Sequence, residues 1–185
     1  MSRQPLQNEF DVLRDAAGRL DGAGIAYMLT GSLAMNFYAV PRMTRDIDIV
    51  VELSVADVDR VVKLFSPDYY VSRAAVSEAV GGRRMFNLIH QESVIKVDCI
   101  VRKDSPYREL EFKRRQRGTV EGCELWIVSK EDLILSKLYW AKDSRSETQL
   151  GDVRRLLATG SDAAYLNEWA PALEVAGLLE ECRHD

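Results

Sequence analysis

Apolar residues recur at helical spacing near the start of the chain. Phe10, Leu13, Ala17 and Leu20 form one stripe, which predicts a helix over residues 9–20 that Gly22 and Gly24 stop. Ile25-Ala26-Tyr27-Met28-Leu29 is a short unbroken apolar run and reads as a buried strand. A turn at Gly31-Ser32 follows, then a short helix over 33–38, ended by Pro41. From Asp46 the period changes to two. Asp46-Ile47-Asp48-Ile49 alternates and runs into Val50-Val51-Glu52-Leu53, a strand signature. Ser54 caps a helix reaching about Phe65. Residues 84–90 and 94–101 are strand-like runs joined by Gln91-Glu92-Ser93, which predicts a hairpin. Residues 123–128 form a further strand.

After Ser129 the strand signals cease. Ser129-Lys130-Glu131-Asp132 and Ser146-Glu147-Thr148-Gln149 both read as capping boxes that open helices. Gly160 follows the second helix, and Pro171 reads as the first position of another. Tyr165, Trp169, Leu173, Ala176 and Leu179 then pack a small bundle. Mixed strands and helices followed by helices alone predict an α+β (α/β-like) fold: a core over residues 1–128 and a C-terminal helical subdomain over 129–185.

The 185 residues suit about one domain. With 46% hydrophobic and 29% charged residues, disordered and collagen-like classes are excluded. A net charge of -4 argues against a sequence-independent binder of duplex nucleic acid. Cys99, Cys123 and Cys182 form no CxxC and fit free thiols in a reducing compartment. With His90 and His184 as the only imidazoles, zinc sites and His-dependent triads are poorly supplied. The opening MSRQPLQNEF lacks the apolar core of a signal peptide. Residues 22–41 are uncharged, but glycine, Asn36 and Pro41 interrupt them, so they do not read as a membrane span. The expectation is a soluble cytoplasmic protein without a membrane partner.

Phosphate loops of the GxxxxGK[ST] type, GxGxxG, GxSxG and HExxH are absent. The remaining chemistry is acidic. Asp46 and Asp48, two apart on a strand, project from one face about 6–7 Å apart. Two such charges repel unless a cation lies between them, and hard cations such as Mg²⁺ take oxygen ligands. Asp98 lies in Val94-Ile95-Lys96-Val97-Asp98-Cys99-Ile100-Val101, a run otherwise suited to a sheet interior. If that strand lies beside Asp46 and Asp48, three carboxylates converge, enough for two divalent ions in a phosphoryl-type displacement. The Gly31-Ser32 turn complements them. It opens a helix whose free N–H groups face outward, and Arg42 and Arg45 flank it to grip the same phosphates.

Thr30-Gly31-Ser32 followed by Arg42-x-Thr44-Arg45-Asp46-Ile47-Asp48-Ile49 resembles the Gly-Ser…Asp-x-Asp signature of the DNA polymerase beta-like nucleotidyltransferase superfamily. TGSLAMNFYAVPRMTRDIDIVV is most similar to small bacterial nucleotidyltransferases of the abortive-infection and toxin–antitoxin type. The resemblance implies a twisted mixed sheet flanked by helices, with the Gly-Ser turn and three carboxylates in one cleft. It implies metal ligation by Asp46, Asp48 and Asp98, two Mg²⁺ ions with Mn²⁺ as the alternative, and activation of the incoming hydroxyl by Asp98. Glu131-Asp132-Leu133-Ile134-Leu135-Ser136-Lys137-Leu138 resembles the family helix whose lysine reaches the nucleotide, which makes Lys137 the matching residue. The chain departs from many relatives in its later helix. Where they show Lys-Asp-x-x-Asp, Thr148-Gln149-Leu150-Gly151-Asp152 keeps only the last Asp.

The implied activity is transfer of a nucleoside monophosphate from an NTP to a hydroxyl on RNA, protein or a small molecule, with a toxin or antitoxin as cognate partner. Two alternatives stay open: a non-catalytic nucleotide-binding antitoxin or sensor, and a phosphohydrolase that uses water as acceptor. Residues 102–117 carry seven bases against three acids and follow the Asp98 strand directly. They could border the cleft and attract an acidic acceptor, or form a solvated helix face.

Overall fold

The computed structural model describes Leu6 and residues 8–184. Asn8 caps the first helix, α1 (Glu9–Gly22), by accepting the Asp11 N–H, and buries Val12, Leu13, Ala16, Ala17 and Leu20. β1 (Tyr27–Thr30) leads without a linker into α2 (Gly31–Tyr38), and β2 (Ile47–Val51) follows. A single 3₁₀ turn, Val55–Asp57, capped reciprocally by Ser54 and Asp57, opens α3 (Val58–Phe65). Next come β3 (Tyr69–Tyr70), α4 (Arg73–Gly82), β4 (Met85–His90), β5 (Lys96–Val101) and α5 (Pro106–Lys113). β6 (Gln116–Val120) and β7 (Cys123–Ile127) close the strand-bearing part. The chain ends in α6 (Lys130–Ala141), α7 (Glu147–Ala158), α8 (Ala163–Ala172) and α9 (Ala176–His184).

The seven strands form one mixed sheet in the order β3-β4-β5-β2-β1-β7-β6. β2 lies at its centre, antiparallel to β1 and parallel to β5. This is the mixed sheet expected, with helices packed against it. Period-two alternation assigns the faces. Ile47, Ile49 and Val51 of β2 and Val97, Cys99 and Val101 of β5 are buried in the hydrophobic core. The opposite face of β2, β5 and β4 carries Asp48, Val50, Lys96, Asp98, Ile100, Asn87 and Met85, and much of it stays open. This open face becomes the site. Cys99 and Cys123 carry free thiols. Among the described residues no helix is long and apolar enough to cross a membrane.

Several expectations are corrected. β2 begins at Ile47, which leaves Asp46 exposed at its entrance. Pro171 does not start a helix. Asp162 caps α8 by accepting the Tyr165 N–H at 3.1 Å, and Pro171 sits in the last turn, where it forgoes only one N–H bond. α4, β3 and β6 lie outside the predicted elements, as does α5 except as the solvated helix face weighed for residues 102–117. Of these, α5 has a visible start signal: Ser105 caps it and Pro106 occupies its first turn.

Candidate active site

Register brings the carboxylates together. Asp48 pairs with Thr30 on β1 and with Asp98 on β5, and Asp98 pairs with Asn87 on β4. Thr30, Asp48, Asp98 and Asn87 therefore form one polar row across four strands, with Asp46 at its edge. Asp46, Asp48 and Asp98 line a single cavity of about 370 Å³ together with Gly31, Ser32, Lys96, Ser136, Lys137 and Gln149.

Gly31 has φ +67°, in the left-handed region, and a Cβ there would run into the Asp48 carboxylate. The turn thus needs glycine for its conformation and for the closeness of that carboxylate. α2 begins at this point with no acidic residue in its first turn and no side chain capping it. Its free N–H groups and positive dipole end suit an anion. Ser32 is the second residue of the same turn.

Two cations stand behind it, held by a residue the sequence reading left without a role. Asp152 of α7 is fully buried. Its carboxylate accepts two 3.0 Å hydrogen bonds from the Arg42 guanidinium and one of 2.8 Å from Lys137 Nζ. Arg42 also donates to Ser32 Oγ at 2.6 Å, and the Asn36 side chain clamps its backbone from both sides. Lys137 is 3% exposed and also donates to Gln149 Oε1 at 3.1 Å. Burial would raise the Asp152 carboxyl, but the hydrogen bonds from Arg42 and Lys137 outweigh it and hold it below the usual range. Burial lowers the Lys137 ammonium, opposed by Asp152. A buried ion pair of this kind survives because each partner satisfies the other.

The acidic row has the opposite character. Asp48 is pushed up to about 6, first by burial and then by the charges of Asp98 and Asp46, against a weaker pull from Lys137 and Lys96. Asp98 accepts from Lys96 Nζ at 2.9 Å through one oxygen and from the Asn87 amide through the other. Lys96 lies two residues before Asp98 on the same strand face, so its presence was readable. Asn87 is placed only by the hairpin register. Neither predicted arginine lines the carboxylate cavity: Arg42 reaches it only through its hydrogen bond to Ser32, and Arg45 is exposed and pairs with Glu9 at 3.5 Å.

Among the described residues no group of three or more His, Cys, Asp or Glu side chains is arranged to hold a metal ion. The donor chemistry nevertheless suits a hard divalent cation. Asp46 and Asp48 offer carboxylate oxygens to one cavity, the oxygen donors that a hard divalent cation takes. Asp98 is occupied by Lys96 and Asn87.

The basic stretch is mostly spent on internal pairs. Arg102 pairs with Glu52, Arg108 with Glu111, and Arg114 with Asp132, while Arg115 and Arg117 stack on Trp126.

No protein-family model matches the chain, and no curated protein matches it in sequence. Solved structures do match in fold. An antigenic nucleotidyltransferase-like protein from Paracoccidioides brasiliensis superposes with a TM-score of 0.57 at 16% identity, covering 96% of this chain and 95% of its own. The lincosamide antibiotic adenylyltransferase LnuA, bound to lincomycin, gives 0.55 at 16% identity over 82% of this chain and 96% of that one. The antibiotic-resistance factor ANT(2'')-Ia gives 0.55 at 15% identity over 94% of both chains. The chain therefore has the nucleotidyltransferase fold, the architecture implied by its resemblance to the DNA polymerase beta-like superfamily.

Proposed function

We propose that the protein is a Mg²⁺-dependent nucleotidyltransferase, which moves a nucleoside monophosphate from an NTP to an acceptor hydroxyl and releases pyrophosphate. One observation carries this reading: Asp46, Asp48 and Asp98 share a cavity with the Gly31-Ser32 turn and Lys137. The fold supports it as well, since neighbours of the same architecture include a lincosamide adenylyltransferase and ANT(2")-Ia in complex with adenylyl-2"-tobramycin.

The turn and its cations hold the triphosphate. Amide N–H groups of α2, the Ser32 hydroxyl, Arg42 and Lys137 supply donors on one side of the carboxylate row. Asp46 and Asp48 would hold the divalent ion, and Asp98 would join them when Lys96 gives way; a second ion requires that third carboxylate. When bound, Mg²⁺ neutralises charge that develops on the transferring phosphoryl group. The acceptor oxygen attacks the α-phosphorus, the bond to the bridging oxygen of pyrophosphate breaks, and the hydroxyl proton passes to Asp98. Thr148 and Gln149 occupy positions where relatives often carry Lys and Asp. Gln149 instead fixes Lys137, and Asp152 retains the anchoring role. The free thiols of Cys99 and Cys123 support a reducing, cytoplasmic setting. A role within a toxin–antitoxin or phage-defence pair remains part of the proposal on resemblance alone.

A non-catalytic nucleotide-binding reading has one observation in its favour: both Asp98 oxygens already accept hydrogen bonds. Incubation with α-labelled NTPs, Mg²⁺ and a cell extract separates the two. Transfer predicts a labelled product with equimolar pyrophosphate, lost by several orders of magnitude in Asp48→Asn. Nucleotide binding without label or pyrophosphate release supports the sensor. Free monophosphate without a labelled acceptor supports a phosphohydrolase.

A further inference from the structure

The open sheet face does not end at the carboxylates. One pleat along, β4, β5 and β2 present Met85, Ile100 and Val50, which are paired in register across the three strands. This apolar row lies about 6–7 Å from the polar row of Asn87, Asp98 and Asp48, because alternate residues on a strand are that far apart. It floors a second cavity of about 440 Å³, walled by Tyr139 and Trp140 of α6. Thr30, Ile100, Ser136 and Trp140 line both cavities, so the two are continuous. Gly31, Ser32 and Lys137 line only the carboxylate cavity. The shelf therefore lies on the side of the carboxylates away from the phosphate anchors.

Its surface is uncommonly apolar for an exposed region. Trp140 is 61% and Met85 50% exposed, with Tyr139 beside them. Isolated exposed apolar residues need no explanation, but a cluster beside a charged cleft marks a binding surface. The charges around it decide what it binds. Arg83 pairs with Asp104, Arg84 with Glu78, Arg102 with Glu52 and Arg108 with Glu111. All four arginines of the wall are thus matched by carboxylates, and the remaining charged lining residues, Lys103 and Asp143, are of opposite sign, so no surplus of positive charge is left over. A nucleic-acid backbone demands a surplus of cations. A cavity of this size with an apolar floor and a few polar groups instead fits a small molecule.

We propose that this shelf is the acceptor site, and that the acceptor is a small molecule of little net charge. It would lay an apolar or ring-bearing body on Met85, Ile100 and Trp140 and present a hydroxyl to Asp98. The inference rests on the nucleotidyl-transfer reading and names its substrate class.

The test uses the intact protein with α-labelled NTPs and Mg²⁺, supplied separately with the ultrafiltrate, the total RNA and the total protein of a cell extract. Label is expected in the ultrafiltrate. Its initial rate should fall by about tenfold or more in Trp140→Ala and in Met85→Glu, since each removes or spoils a large apolar contact. Both side chains are largely exposed, so neither change threatens the fold. The melting shift given by NTP and Mg²⁺ should persist in Met85→Glu, because Met85 does not line the carboxylate cavity. Label on RNA or protein, or ultrafiltrate labelling that both variants leave unchanged, overturns the acceptor shelf while leaving transfer intact. No label in any fraction and no pyrophosphate release overturns the transferase reading itself, and this inference with it.

Discussion

Replacing Asp48 by Asn should stabilise the metal-free protein, although it removes a residue central to the proposed chemistry. The Asp48 carboxyl moves from an ordinary 3.8 to about 6 in the folded protein, through burial and the neighbouring Asp98 and Asp46. At 1.36 kcal/mol per pH unit, holding that charge costs at most about 3 kcal/mol. Solvent screening and relaxation reduce the expected gain to about 1–2 kcal/mol, a rise in Tm of roughly 2–8 °C for a chain of this length. The sign follows from proton linkage. The folded state binds the proton more tightly than the unfolded state, so ionisation weakens folding as pH rises from 3.8 through about 6. The benefit of Asn should thus be absent below pH 3.8, grow across that window and be complete above it. Thermal and urea unfolding of both proteins from about pH 3.5 to 8, with chelator present, measures this. A variant no more stable than wild type at pH 8, or one whose gain is the same at every pH, would refute the argument from converging charge.

Asp152→Asn strands a buried lysine and loosens Arg42, so a loss of about 3–5 kcal/mol in urea unfolding is expected, with a weaker NTP-induced melting shift. Ser32→Ala should diminish that same shift with little change in stability, and Lys137→Ala should diminish it while also lowering stability, because it removes one partner of the buried Asp152 pair. Gly31→Ala should cost about 1–3 kcal/mol and abolish nucleotide binding, because its φ is left-handed and its Cβ meets Asp48. Gly151→Ala, within α7 and with open space around the new Cβ, should instead stabilise by about 0.4–1 kcal/mol. Calorimetric Mg²⁺ affinity should weaken as pH falls through about 6, as Asp48, facing Asp46, Asp98, Lys96 and Lys137, takes up a proton.

The parts of the fold legible in the sequence were those with strong periodicity or a named turn. Asp46 to Val51 announced both a strand and the face its carboxylates would take, though not its central place in the sheet. The run over 94–101 singled out Asp98, because a carboxylate in an apolar run needs a reason to be there, but its place beside Asp48 depends on the pairing of β5 with β2, which local pattern left open. Local pattern could not supply what depends on distant partners. Asp152 and Arg42 are 110 residues apart, and only packing of α7 against α2 brings them together. The charge-rich segment 102–117 read as a basic surface, yet Arg102 and Arg114 are absorbed by Glu52 and Asp132 from two other parts of the fold, and Arg108 by Glu111 one turn along its own helix. Lys96 was visible beside Asp98, but its part as the resting counter-charge appears only when the distance is known. Pro171 misled because proline is common at helix starts and cheap in a last turn, and sequence alone does not separate the two.

The most direct test is a crystal structure of the wild-type protein with an NTP and Mn²⁺, the ion located by its anomalous signal. The triphosphate should lie on the Gly31-Ser32 turn within reach of Arg42 and Lys137, with Mn²⁺ on Asp46 and Asp48 and Lys96 withdrawn from Asp98. A nucleotide bound outside this cavity, or Mn²⁺ with no bond to Asp48, would contradict it.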